Sequence, residues 1–155
     1  MRFIIQRATR ASVSVINESV SELISEIGKG ICVLVGIAEG DTDVDIEYGV
    51  RKLMNLRLFD NPESGKRWDK SVKDLDLEIL CVSQFTLHAV LKGNKLDFHR
   101  AMNPTEAPKF YEKFLNQLKS SYKIDKVKDG RFGAHMNVSI ENDGPVTINL
   151  DSKDK

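Results

Sequence analysis

The chain is poor in the residues that announce a covalent staple or a metal: two cysteines and three histidines in 155 residues. Cys32 and Cys81 both lie inside apolar, strand-like runs with no second Cys or His at ligand spacing. They read as buried thiols, and neither a disulfide nor a bound metal is expected. No apolar run approaches the length of a membrane span, and Phe3, Ile4 and Ile5 make a stretch shorter than a signal peptide's core. A cytoplasmic setting is the default expectation. Charge of one sign is not in excess either, since 23 Lys and Arg balance 23 Asp and Glu. That leaves no global field to hold a long nucleic acid by phosphate neutralisation, so any such contact must be local. Neither G-x-G-x-x-G nor G-x-x-x-x-G-K-[ST] occurs, which argues against a nucleotide cradled by a glycine loop. No internal repeat or low-complexity segment is present.

What is there is enough for one core. At 41% hydrophobic and 30% charged, the chain is long enough for one domain and short for two. "FIIQRAT", "ASVSVI" and "SVSELISEI" are short, β-branched and partly alternating, which predicts antiparallel strands. "ICVLVGI" is continuously apolar and "LEILCVS" nearly so; both are expected as central strands covered on two faces. Between them Ile46, Val50, Leu53 and Met54 fall at helical spacing, with Asp41 and Thr42 as caps and the stripe running to about Leu58. "DNPESGKRWDKSVKD" is rich in turn formers and reads as a loop or hairpin, and Leu87 to Met102 as irregular. Pro104 and Thr105 open a second helix whose Phe110, Tyr111, Phe114, Leu115 and Leu118 share a face. "IDKVK", "MNVSIE" and "VTINL" are three closing strands, and "DSKDK" a frayed polar tail. The expected fold is a mixed α/β single domain over residues 1–150, with curved, largely antiparallel sheets and a helical layer in three layers, β/β/α, followed by the tail 151–155.

Two spots gather small polar or chain-bending residues where a core would prefer Val and Leu. "SQFTL" (83–87) ends a buried strand, where backbone N–H groups can be left free to hold a developing oxyanion. Thr86 is a possible nucleophile, but nothing beside it in sequence marks a base, and His88, His99 and His135 each read more simply as ordinary histidines. In "NDGPVT" (142–147), Gly144 permits unusual backbone angles and Pro145 has no N–H, giving a rigid turn between the last two strands.

Four segments, "QRATRASV" (6–13), "SQFTL", "GRFGAHM" (130–136) and "NDGPVT", occur in the order and at the spacing of the D-aminoacyl-tRNA deacylases, which the chain resembles over nearly its whole length. The resemblance implies a homodimer, without a cofactor, that hydrolyses the ester between a D-amino acid and the terminal adenosine of a tRNA. It implies that Ser83, Gln84, Phe85 and Thr86 surround the ester. Gly144 and Pro145, as a Gly-cisPro motif oriented by Arg7, would enter the pocket of the other subunit and exclude an L-side chain. Phe132, Gly133, Met136 and Ala107 would meet the terminal adenosine. Glycine, with no side chain to clash, would pass. The family's chemistry implies backbone N–H groups near Phe85 and Thr86 as the oxyanion donors, with the adenosine 2′-OH helping water attack. Leu96, His88 and His135 depart from the residues frequent at those places in the family, which leaves Lys92, Lys95, His99 and Arg100 open between acceptor-stem phosphates and solvent. Two rivals remain. A non-catalytic nucleic-acid-binding module needs a basic stripe with aromatics, against which the balanced charge argues. The related editors that remove L-alanine are disfavoured by Arg7 and an intact "SQFTL".

Overall fold

The computed structural model describes residues 1–154. Its eight strands are β1 (Arg2–Asn17), β2 (Val20–Ile27), β3 (Gly30–Gly36), β4 (Glu78–Ser83), β5 (Val90–Lys92), β6 (Lys95–Asp97), β7 (Val127–Asp129) and β8 (Met136–Asp151). Helices α1 (Asp43–Asn55) and α2 (Ala107–Ser121) follow β3 and β6. The main sheet runs β2-β1-β3-β4-β7, with β8 pairing to β1 on its other edge. β3, β4 and β7 are mutually parallel. The other pairings of the main sheet are antiparallel.

The long strand β1 bends this sheet back on itself. Its first half pairs with β3 and its second half with β2 along the same edge, so β2 lies over the parallel strands. Ser25 Oγ of β2 donates to the Asp129 carbonyl at 2.6 Å and nearly closes the curve. The burial pattern of β1 records the bend. Phe3 and Ile5 face the helical core, whereas Ala11 and Val13 face the core between the sheet halves. The alternation slips between them, where Thr9 and Arg10 are exposed and the pairing with β8 shifts register. Such a slip turns every later side chain to the other face.

Continuous apolar character in β3 and β4 follows from having a core on each side. Ile31, Val33, Val35, Ile79 and Cys81 point to the helices, while Cys32, Leu80 and Val82 point to the inter-sheet core. The two thiols are therefore buried and face opposite layers, and burial pushes the Cys32 thiol up to about 12. On α1, Ile46, Val50 and Leu53 face inward. Gly49 lets the Phe3 ring lie so close that a Cβ there would come within 2.3 Å of Cζ. On α2 the buried face is Tyr111, Phe114, Leu115 and Leu118.

The expected mixed α/β domain with β/β/α layering is observed, and several local expectations change. "FIIQRAT" and "ASVSVI" are one strand, because the bulge at Thr9 bends it without breaking it. "MNVSIE" and "VTINL" are also one strand, so "NDGPVT" is an outward loop within β8 and no turn between strands. α1 stops at Asn55; Leu58 and Phe59 stay buried in the extended segment after it. α2 begins at Ala107, since Asn103 caps the turn before it and Pro108 occupies its first turn. The stretch after Leu87 contains the β5–β6 hairpin, turned at Gly93 with φ +62°.

The tail is tied down through Asp154, and Lys155 lies outside the described residues. Ser152 is buried, and its hydroxyl accepts from the Met1 ammonium at 2.6 Å and donates to Asp45 at 2.6 Å. Lys153 Nζ donates to Asp45 at 2.7 Å. Burial alone would raise the Asp45 carboxyl, but hydrogen bonds from Lys153, Ser152 and the Thr42 N–H outweigh it and hold the group well below the usual carboxylate range. The sequence offers polar residues here; only the fold brings their partners.

Candidate active site

Cys81 and Val82 are the last fully buried residues of β4, after which the chain rises out of the core at Ser83 and Gln84. The Gln84 N–H donates to the Val35 carbonyl at 2.8 Å, extending the parallel pairing by one bond. A 3-10 turn over Phe85–His88 follows. Its internal bonds use donors from Leu87 onward: Leu87 N–H to the Gln84 carbonyl at 3.3 Å, and Ala89 N–H to that of Thr86 at 3.1 Å. The N–H groups of Phe85 and Thr86 are thereby left without a backbone acceptor among the described residues, as the first donors of any helical turn are.

Beside this turn lies a cavity of about 280 Å³. One wall is Ser83, Gln84 and Phe85; the opposite wall is Phe132 to Met136, with Ala107 at the start of α2. Three sequence segments far apart in the chain thus converge, because β4, α2 and the β7–β8 connection meet at one end of the sheet. Gly133 takes φ +73°, which turns the loop at the rim. Phe132 is 39% exposed and rests against Tyr111, with ring centroids 5.6 Å apart. Phe85 is 57% exposed and packs edge-on to Phe98 at 5.0 Å. Two aromatic faces are thus presented at the mouth of an otherwise apolar hole. Thr86 lies outside the lining, and its hydroxyl is held by the Gln84 side-chain amide, which cannot take up its proton. Among the described residues, His135 is the one ionisable side chain in the lining.

The other candidate residues stand elsewhere on the protomer. Gly144, with φ +120°, and Pro145 are exposed at the tip of the β8 loop, and the peptide bond between them is cis. Between Gln6↔Thr147 and Ala8↔Asn142, β8 has four residues where β1 has one, so the loop has to leave the sheet. Asn142 and Arg7 then hold it. Asn142 Nδ2 donates to the carbonyls of Arg7 at 2.9 Å and Val146 at 3.0 Å, closing the neck of the loop. The Arg7 guanidinium pairs with Asp143 at 3.1 Å, donates to the Leu58 carbonyl at 2.7 Å and lies 5.8 Å from the Trp68 ring centroid. This loop borders a separate cleft with Asp60, Arg67 and Trp68. Within one protomer, the two polar spots of the sequence do not share a cavity.

Sequence reasoning missed Asn142 and Trp68. Asn142 sat inside a motif already singled out, and Trp68 was a lone tryptophan in a polar loop. Met102 and Tyr111, which also shape the site, carried no signal beyond core hydrophobicity. Of the four cationic residues near the hairpin, Lys92 and His99 both bind Asp97. Hydrogen bonds from Lys92, then His99, hold that carboxyl far below its usual range. Lys95 and Arg100 form no ion pair among the described residues.

Over residues 4–151 the chain matches the family described as D-Tyr-tRNA(Tyr) deacylase. The chain belongs to this family. It is 59% identical to a Drosophila melanogaster D-aminoacyl-tRNA deacylase over 155 residues, all of this chain and 94% of the relative. It is 57% identical to Homo sapiens D-aminoacyl-tRNA deacylase 1 over 152 residues, 98% of this chain and 70% of the relative. Among solved structures, a c-Myc DNA Unwinding Element Binding Protein superposes with TM-score 0.91 at 57% identity, covering 97% of this chain and 98% of that one. A probable eukaryotic D-amino acid tRNA deacylase superposes with TM-score 0.79 at 19% identity over 96% of this chain and 98% of that one, a likeness of fold.

Proposed function

We propose that the protein is a hydrolase that cleaves the ester of D-aminoacyl-tRNA to free tRNA and D-amino acid, and that it spares L-aminoacyl-tRNA. The observation that carries the reading is the cavity in which the "SQF" edge, with two uncommitted backbone donors, faces the aromatic-lined Phe132–Met136 wall. Family membership supplies the substrate class. In the proposed mechanism the terminal adenosine lies against Phe132, Gly133, Met136 and Ala107, with the ester carbonyl at the N–H groups of Phe85 and Thr86. These donors stabilise the oxyanion as water adds, assisted by the ribose 2′-OH. Loss of one such donor costs roughly a hundredfold or more in rate. Thr86 contributes its backbone N–H, and its hydroxyl is not the nucleophile, in keeping with that hydroxyl's amide partner.

Chirality is assigned to Gly144 and Pro145, which act on the cavity of a second copy. Their separation from the cavity of their own protomer is what favours a homodimer with a shared site. A backbone wall that is clamped by Arg7 and Asn142 can reject an L-side chain by occupying its space, and glycine would evade it.

The test is paired deacylation of D- and L-aminoacyl-tRNA, with glycyl-tRNA as a third substrate. Rapid loss of the D-ester alone among the chiral pair is expected; equal rates for both hands would end the chirality assignment. Light scattering and subunit mixing test the shared site. A cavity variant (Ala107→Phe), expected to be inactive, is mixed with a loop variant (Arg7→Met), expected to have lost selectivity: in mixed dimers the one working cavity faces a wild-type loop, and the D-to-L ratio rises above that of Arg7→Met alone. A ratio unchanged on mixing would place the whole site in one protomer.

A further inference from the structure

His88 closes the 3-10 turn that carries Phe85 and Thr86, and the mechanism above gives it no task. It is also the turn's one buried residue, at 5% exposure. The turn lies tightly on Gly36, where a Cβ would meet Leu87 Cβ at 2.8 Å, the Gln84 carbonyl at 3.2 Å and His88 Cδ2 at 3.2 Å. Three tethers hold it there. Gln84 N–H bonds Val35, Arg2 Nη1 donates to the Leu87 carbonyl at 2.9 Å, and the imidazole hydrogen-bonds the Gly36 backbone. The other ring nitrogen, Nε2, is enclosed and has no partner among the described residues. A neutral ring tolerates this as one unfilled lone pair. An imidazolium would carry a charged N–H with nothing to receive it, which is far more costly.

We propose that neutral His88 is a positioning residue for the reaction: it wedges the Phe85–His88 turn against Gly36 so that the Phe85 and Thr86 N–H groups face the cavity, and its protonation releases the turn. The inference rests on the reading of those two amides as the oxyanion donors.

The surroundings bear on the direction. Burial pushes the imidazole below its ordinary value, and Arg2 and the Met1 ammonium add to this. The hydrogen bond to the Gly36 backbone acts the other way without overcoming burial, and so does Asp41. Its carboxylate is already committed to the Met1 ammonium at 2.8 Å and the Ala38 N–H at 2.7 Å. Across the adjoining cleft, Asp151 is taken by Arg2 at 2.9 Å, Lys153 by Asp45 at 2.7 Å, and His99 by Asp97. Glu39 and Arg100, of opposite sign, complete that wall. The released turn therefore takes up a proton before the packed turn does. The packed form loses ground as pH falls below the ordinary imidazole value of about 6.5.

The test is the pH profile of single-turnover D-aminoacyl-tRNA deacylation from pH 8 to 5, for wild type and for His88→Asn, whose amide keeps a donor toward Gly36 and cannot titrate. The wild-type rate constant is expected to acquire an acid limb approaching tenfold per pH unit, which His88→Asn flattens whatever its level at pH 8. An identical limb in the variant overturns the proposal. A second measurement stands whether or not the variant folds and whether or not the substrate assignment holds. NMR of the wild-type histidine ring nitrogens is expected to show His88 neutral with a bare Nε2 at pH 6.5, and Phe85 and Thr86 amide shifts that move with its protonation. A ring that titrates at the ordinary value with those amides unmoved also overturns it. Absence of deacylation by wild type at pH 8 would instead remove the functional reading.

Discussion

Replacing Arg7 by Met removes the clamp on the β8 loop while keeping much of the side chain's apolar length. The guanidinium is 15% exposed and makes four contacts: the Leu58 carbonyl, the Asp143 carboxylate, more distantly the Asp143 carbonyl at 3.4 Å, and the Trp68 ring. A charge-assisted hydrogen bond to a buried carbonyl contributes about 1.5–3 kcal/mol. The pair with Asp143, which is 40% exposed, is screened and contributes little, at most about 1 kcal/mol. The ring contact adds roughly 0.5–1 kcal/mol. Allowing for non-additivity, Arg7→Met is expected to destabilise by roughly 2–4 kcal/mol, which lowers Tm by roughly 5–15 °C in a chain of this size. Thermal unfolding followed by circular dichroism reads this directly. Arg7→Lys keeps the charge but has one donor centre in place of a fork, so it cannot hold Leu58 and Asp143 together, and its Tm is expected in between. The functional consequence is specific. With Asn142 still closing the neck of the loop, both variants fold, but the tip bearing Gly144 and Pro145 gains freedom, and the ratio of D- to L-aminoacyl-tRNA deacylation falls at least tenfold. A Tm within about 2 °C of wild type would refute the energetic argument. A lowered Tm with an unchanged D-to-L ratio would cut the link between the clamp and chirality.

Thr86→Val is expected to keep deacylation within about threefold of wild type, because the backbone donor is retained; a loss of about 10³ or more with substrate binding intact would make the hydroxyl the nucleophile. Gly36→Ala pushes a methyl into Leu87 and His88 and is expected to lower the single-turnover rate more than substrate affinity, whereas an affinity loss alone would mean that the turn tolerates displacement. Phe132→Ala removes an aromatic face at the cavity mouth and is expected to weaken tRNA binding by about 1–3 kcal/mol in filter-binding titrations, with unchanged binding assigning the ring to structure. Asp45 has a carboxyl held below its unfolded value, so its contribution is present above about pH 4 and is lost as pH falls through the folded value. Urea unfolding from pH 7 to 3 is therefore expected to show a shallower acid decline for Asp45→Asn than for wild type, and parallel curves would deny the linkage.

Periodicity alone determined a good deal. The helical stripe of α1, the apolar face of α2 and the two central strands follow from which residues repeat at which interval, since burial of one face is all those elements need. β3 and β4 read as covered on both faces because their apolar runs do not alternate. Two other things were beyond local pattern. The bend of β1 depends on a single-residue slip between Ala8 and Ala11, and one misplaced step in an alternation looks like a break between two strands. "NDGPVT" reads as a turn because Gly and Pro punctuate it, whereas four residues opposite one on the neighbouring strand force it outward, and that count exists only once β1 and β8 pair.

The candidate site divides the same way. The segments that carry it were visible through their resemblance to a family, and their polar or chain-bending character was visible without it. Tertiary structure decided that Ser83, Phe85, Ala107 and Phe132 share one cavity while Gly144 and Pro145 border another. It also turned a polar tail into a tied one and an ordinary histidine into an enclosed ring lacking a partner at Nε2. A residue's type sets which bonds it can make; which of them are made, and which polar atoms are left over, depends on what the rest of the chain brings within three ångströms.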